Sequence, residues 1–94
     1  MSKIINRPVV ELDAINQGEG ETLVFLHGWA ADKTVWLNQA ELLRNKYNII
    51  LLDLRGYGLS AYQQDQDLLS AMAADVIVFL QKNQINRANI IGWS

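Results

Sequence analysis

Asn48-Ile49-Ile50-Leu51-Leu52-Asp53-Leu54-Arg55-Gly56-Tyr57-Gly58 runs an unbroken apolar segment into a glycine-rich exit. Four consecutive branched aliphatics leave no wet face, so residues 48–54 predict a strand covered on both sides, the habit of parallel sheets between helix layers. Thr22–Leu26 (TLVFL) and Ala88–Ile91 (ANII) have the same character. Between the first two strands a helix is predicted over about residues 34–45. Asp32 or Thr34 caps it, Trp36, Ala40 and Leu43 share one face, and Leu37 lies beside them. Between the last two, Asp65 and Asp67 open a second helix and Lys82 closes it, each sign complementing the helix dipole. Its apolar stripe is Leu69, Met72, Ala73, Val76, Phe79 and Leu80. Upstream, residues 9–15 (VVELDAI) alternate, with Val10, Leu12 and Ala14 on one side, as in a half-exposed antiparallel strand. Pro8 suits its start, and residues 17–21 form a turn. The order predicts an α/β fold: a mostly parallel sheet flanked by helices, with an antiparallel amino-terminal strand.

Composition narrows the function. The 94 residues are 50% apolar and 19% charged with a net charge of −2, which excludes a disordered polyelectrolyte and leaves no basic stripe for nucleic acid. The absence of cysteine excludes disulfide scaffolds and thiolate zinc sites, and a single histidine argues against a His-built metal site. No apolar run approaches the roughly 18–20 residues of a membrane span. The MSKIINRPVVELD start has neither a long apolar core nor a small-residue cleavage site, so a cytoplasmic location is expected.

Ligands of open parallel sheets bind beyond the carboxyl ends of the strands. Here those ends carry His27-Gly28-Trp29, Asp53-Leu54-Arg55-Gly56-Tyr57-Gly58 and Gly92-Trp93-Ser94, while the opposite ends are ordinary turn sequence. A serine on a sharp strand exit becomes a nucleophile once a base activates it, and Gly92 supplies space for such a turn; the plainer reading of Ser94 is a cap for a following helix. Gly28 lets the backbone bend so that the Trp29 N–H faces the crevice, where a preorganised donor stabilises an acyl-transfer oxyanion. His27 reads as a structural histidine bonding loop backbone rather than as a base. Trp29 reads equally as core or as a pocket wall. Gly56-Tyr57-Gly58-Leu59-Ser60-Ala61 also matches the dinucleotide fingerprint, but no ribose-binding carboxylate ends the next strand. The favoured reading is a closely packed loop anchored by Asp53, with Arg55 and Tyr57 structural or solvent-facing.

In order and context, these three motifs resemble the amino-terminal part of the α/β-hydrolase-fold enzymes. His-Gly-Trp and Gly-Trp-Ser are similar to the pimeloyl-[acyl-carrier-protein] methyl ester esterases, and to related carboxylesterases and cofactor-free haloperoxidase-like members. The resemblance implies a serine carboxylic-ester hydrolase acting through an acyl-enzyme on a small-molecule ester or acyl substrate, without cofactor, metal, nucleic acid or membrane. It implies that the first and third parallel strands are neighbours, that Ser94 is the nucleophile, that Trp29 gives an oxyanion N–H, and that Trp29 and Trp93 line the substrate site. His27, Gly28, Asp53, Gly56, Gly58 and Gly92 are motif residues. The acid and histidine of the triad would follow Ser94 in the chain, so residues 1–94 are expected to be one incomplete domain ending at the nucleophile elbow. By itself the chain is expected to be inactive, with the carboxyl-terminal portion of the fold as its partner. Two alternatives stand beside this: a non-catalytic half that needs a complementary chain, and a nucleotide-binding module using Gly56 and Gly58.

Overall fold

The computed structural model describes residues 7–93. Four strands form one sheet: β1 (Ala14–Gln17), β2 (Glu21–Leu26), β3 (Tyr47–Leu52) and β4 (Asn89–Gly92). A 3-10 turn (Lys33–Trp36) leads into α1 (Leu37–Leu43), and α2 (Leu68–Lys82) joins β3 to β4. The sheet order is β1-β3-β2-β4, with β1 antiparallel to β3 and the other pairs parallel. No helix among the described residues is long and apolar enough to cross a membrane.

Alternation along the strands divides the core into two halves. Val24, Ile50 and Leu52 face α2 and pack with Val10, Leu12 and Val76. Leu23, Phe25, Ile49 and Leu51 face the other way and receive Ala40, with Trp36 and Leu43 against them. Phe25 and Trp36 meet with ring centroids 5.0 Å apart. Both faces of β2 and β3 are thus covered, which is why their sequences show no polar alternation. The chain goes from β2 to β3 with α1 on one face, then back across β2 to β4 with α2 on the other. Right-handed crossovers require this when the direction of travel reverses. Beyond the carboxyl ends of β2 and β3 the connections therefore diverge and leave a crevice.

Three expectations are corrected in detail. The amino-terminal strand begins at Ala14, although Val10 and Leu12 are buried as the alternation required. Over residues 10–13 two backbone N–H groups bond side chains instead of a strand: that of Val10 donates to Asp75 Oδ1 (2.9 Å) and that of Asp13 to Ser60 Oγ (2.8 Å). The first helix opens as a 3-10 turn, capped by Asp32 accepting from the Thr34 N–H. The second helix begins at Leu68, with Asp67 rather than Asp65 as its cap. Ala71, Ala74, Asp75 and Val76 are the buried residues of α2, and Val76, with Phe79 and Leu80 beside it, packs into the sheet core. Leu69 is exposed, and Met72 and Ala73 line an open apolar groove with Leu26, Leu54 and Ile90.

Candidate active site

Three strand ends build one small cavity of about 190 Å³, lined by His27, Gly28, Trp29, Leu54, Tyr57, Met72 and Trp93. A larger one, about 590 Å³, lies at the amino-terminal ends of the strands against Glu21, Arg87 and Asn89. The smaller cavity coincides with the divergence of the connections, where parallel sheets collect their chemistry.

Gly28 O accepts from the Ala31 N–H (3.3 Å), closing a turn in which Trp29 and Ala30 are the central residues. Ala30 sits at φ +60°, a left-handed conformation that suits the third position of such a turn. The second residue of a turn has no partner for its N–H inside it, and among the described residues the Trp29 N–H donates no hydrogen bond. The Trp29 side chain is 87% exposed, which removes the core reading; it meets Tyr57 edge-on at 6.3 Å. Trp93 is 54% exposed on the other side of the cavity. Its N–H donates to Leu26 O (3.2 Å), and Gly92 pairs with Leu26, so the end of β4 runs beside the start of the His27–Trp29 turn. Ser94 lies outside the described residues.

His27 is buried. The Leu54 N–H donates to its Nε2 (3.0 Å), and its Nδ1 lies 2.9 Å from Gly28 O. This network assigns the proton to Nδ1, donating to that carbonyl. Both nitrogens are therefore engaged with backbone, and the ring stacks edge-on against Tyr57 at 5.1 Å.

Beneath the cavity Asp53, fully buried, ties three segments together. Its Oδ1 accepts from the Lys33 N–H (2.7 Å), and its Oδ2 from Lys33 Nζ (2.7 Å) and the Leu59 N–H (2.9 Å). Its carbonyl accepts from Ser60 Oγ (2.7 Å) and its N–H donates to Asp13 O (3.0 Å). Burial pushes the carboxyl up, but the Leu59 N–H and the two Lys33 donors outweigh this and hold it below the ordinary aspartate value. Lys33 Nζ also pairs with Asp13 Oδ2 (2.8 Å); the Asp13 and Asp53 bonds, in that order, raise it above the ordinary lysine value. Gly58 lies directly over this carboxylate at φ +53°, where a Cβ would collide with it, and Gly56, at φ +81°, has Tyr62 against it. The loop glycines thus serve close approach to Asp53 and Tyr62, and α2 begins only at Leu68, nine residues after Leu59. At Gly92 a Cβ would meet nothing within 4 Å among the described residues, so no local crowding there requires glycine.

Sequence reading missed Lys33 and Asp13, and also Asp75. Arg55 is 2% exposed, which corrects the solvent-facing alternative, and it forks onto Asp75 through Nε (2.7 Å) and Nη2 (2.8 Å). An aspartate between Ala74 and Val76 on the buried side of α2 was the available signal, since a buried carboxylate demands a cation.

A profile described as "alpha/beta hydrolase fold" matches residues 21–94. The pimeloyl-[acyl-carrier protein] methyl ester esterase of Vibrio parahaemolyticus serotype O3:K6 is 35% identical over 77 residues, covering 82% of this chain and 28% of that protein. The dihydrolipoyllysine-residue acetyltransferase component of the acetoin cleaving system of Cupriavidus necator is 34% identical over 77 residues, 82% of this chain and 21% of that protein. The solved structure of a marine microorganism esterase superposes with a TM-score of 0.85 at 32% identity, covering 90% of this chain and 33% of the other. The chain thus spans no more than about a third of each of these proteins. Sheet order, strand-end motifs and these similarities agree, and the chain belongs to the alpha/beta hydrolase fold family.

Proposed function

We propose that these residues are the amino-terminal part of a serine carboxylic-ester hydrolase, with Ser94 as nucleophile and the Trp29 N–H as one oxyanion donor. One observation carries the reading: β4 ends in register with β2, with the Trp93 N–H on Leu26 O, so the chain leaves β4 at Trp93 beside a turn whose central N–H is unpaired among the described residues. In the proposed reaction Ser94 Oγ attacks the ester carbonyl and passes its proton to a histidine. The oxyanion takes the Trp29 N–H and the N–H of the residue after Ser94. The alcohol leaves with the proton, and water then hydrolyses the acyl-enzyme. One such donor is worth about 2.7–4 kcal/mol to the transition state. Trp29, Tyr57 and Trp93 form the walls against which a small ester lies.

His27 is the chain's one histidine, and both of its ring nitrogens are occupied by backbone. The base and its acid therefore come from residues encoded beyond Ser94, in keeping with the length of the esterase relatives. The test is a protein carrying those residues, assayed on p-nitrophenyl acetate. It should turn over, Ser94→Ala should abolish turnover, and residues 1–94 alone should be inactive. Full activity in Ser94→Ala refutes the serine mechanism.

A further inference from the structure

We propose that Lys33 is a positioning residue for the oxyanion turn, holding the Trp29 N–H in place through Asp53; this rests on the hydrolase reading above. The turn is not set by burial of its own central side chain, because Trp29 is 87% exposed. Nor does the Trp29 backbone N–H tie it down, having no acceptor among the described residues. What fixes it are its two flanks. On one, His27 Nε2 accepts from the Leu54 N–H; on the other, Lys33 binds Asp53 twice, through its N–H and its Nζ. Both anchors land on consecutive residues at the end of β3, so the segment from Gly28 to Asp32 is a short arch clamped at each foot.

The Lys33 foot is the unusual one. Lysine is seldom buried without partners, yet Lys33 is 7% exposed, with its ammonium between Asp53 Oδ2 (2.7 Å) and Asp13 Oδ2 (2.8 Å). The same Asp53 oxygen accepts from the Leu59 N–H, so Lys33 locks the arch to the 53–60 loop and to the segment before β1 in one step. An apolar side chain here leaves two carboxylates facing each other with no cation between them. They repel, and the foot of the arch moves. Displacement of about 1 Å at a reacting centre costs up to about 100-fold in rate, whereas a substrate bound by the outer aromatic walls keeps its affinity.

The experiment uses the protein carrying the residues beyond Ser94, with kcat and KM for p-nitrophenyl butyrate measured separately, at least 15 °C below each variant's Tm (a margin of about two to four stability increments). Lys33→Met should lower kcat about 10- to 100-fold with KM within about threefold. Lys33→Arg, which keeps the charge, should recover at least about tenfold of that loss. A core variant with no part in the Lys33 network, Val76→Ala, reports what lost stability alone does and should leave kcat within about twofold. If Lys33→Met does not fold, Asp13→Asn decides. It keeps the Asp53 pair and turns the second ion pair of the ammonium into at most a neutral hydrogen bond, and kcat should fall about two- to tenfold at constant KM. Unchanged kcat in folded Lys33→Met, or in Asp13→Asn where that one decides, overturns the proposal, as does a kcat loss matched by Val76→Ala. If Ser94→Ala retains turnover in the same assay, the hydrolase reading itself fails; if Ser94→Ala is inactive and the Lys33 variants behave as wild type, only the positioning role does.

Discussion

Gly58→Ala measures how much of this architecture hangs on the Asp53 carboxylate. The residue sits at φ +53°, and a β-carbon built on it would overlap both carboxylate oxygens of Asp53. The left-handed conformation costs an alanine about 1–2 kcal/mol. Relieving the overlap requires Asp53 to withdraw from the Leu59 N–H, one residue from the substitution, and a hydrogen bond to a charged group is worth about 1.5–3 kcal/mol. The stiffer unfolded chain returns about 0.4–1 kcal/mol. The expected net loss is about 2–4 kcal/mol, a large share of the roughly 5–15 kcal/mol that holds a domain together. Gly92→Ala is the comparison: its φ is not positive and its Cβ meets nothing within 4 Å among the described residues, so it should cost about 0.5 kcal/mol or less. Equilibrium urea denaturation of the two variants gives the answer directly. With slopes of about 1–3 kcal/mol per molar, the Gly58→Ala midpoint should fall by about 1–3 M and that of Gly92→Ala by no more than about 0.5 M. Equal midpoints for the two variants would refute the idea that the loop is closed onto Asp53.

Arg55→Met leaves the buried Asp75 without its forked partner and should cost about 3–5 kcal/mol. Adding Asp75→Leu removes the stranded charge but also the acceptor of the Val10 N–H, so it should recover about 1–3 kcal/mol; a double variant as unstable as the single, by urea midpoint, would show that the stranded carboxylate is not what destabilises Arg55→Met. Acid should destabilise the protein through Asp53, whose carboxyl is held below its ordinary value when folded. The unfolded chain binds that proton first, so the contribution is complete above about pH 4 and is lost as pH falls through the lower folded value. Asp32 and Asp67, lowered by their Thr34 and Ser70 hydrogen bonds, act in the same direction. Lys33, raised, keeps its contribution well past neutrality and loses it only above the ordinary lysine value. Urea midpoints should therefore be flat from about pH 5 to 9 and fall on the acid side; an Asp53→Asn variant with the same acid slope as wild type would assign that slope elsewhere.

The sheet was legible because burial on both faces leaves its mark within single segments: TLVFL and NIILL show it residue by residue. The caps at Asp32 and Asp67 were legible for the same reason, each acting within three residues of itself. What escaped were bonds across the fold. Asp13 falls on the wet side of an alternating pattern, yet its N–H meets the Ser60 hydroxyl and its carboxylate pairs with Lys33, both far away in the chain. Lys33, inside an ordinary helix start, carries nothing that announces burial. Arg55 and Asp75 are twenty positions apart, on a loop and a helix whose contact depends on the crossover being made. The apolar stripe of α2 was legible in its second half, where Val76, Phe79 and Leu80 pack on the sheet core, whereas Leu69 stays exposed and the buried Ala71 and Ala74 lie off the stripe.

The placement of the candidate site follows from one topological fact, that β4 returns to the far side of β2 instead of extending the sheet on the β3 side. Had the third parallel strand added next to β1, its Gly92-Trp93 exit would stand three strand spacings, about 14 Å, from the His27–Trp29 turn, too far for one carbonyl to touch both. Reversal makes Leu26 and Gly92 neighbours and sends the β2 and β3 connections to opposite faces, which opens the crevice. At the β2 exit α2 offers only Met72, at the edge of the open cavity. The turn there must then be held by side-chain bonds, and it is: His27 takes the Leu54 N–H and Lys33 takes Asp53. Both supports, Asp53 and Leu54, directly follow the last residue of β3, so the arch is held from the same end of the sheet at which the crevice opens.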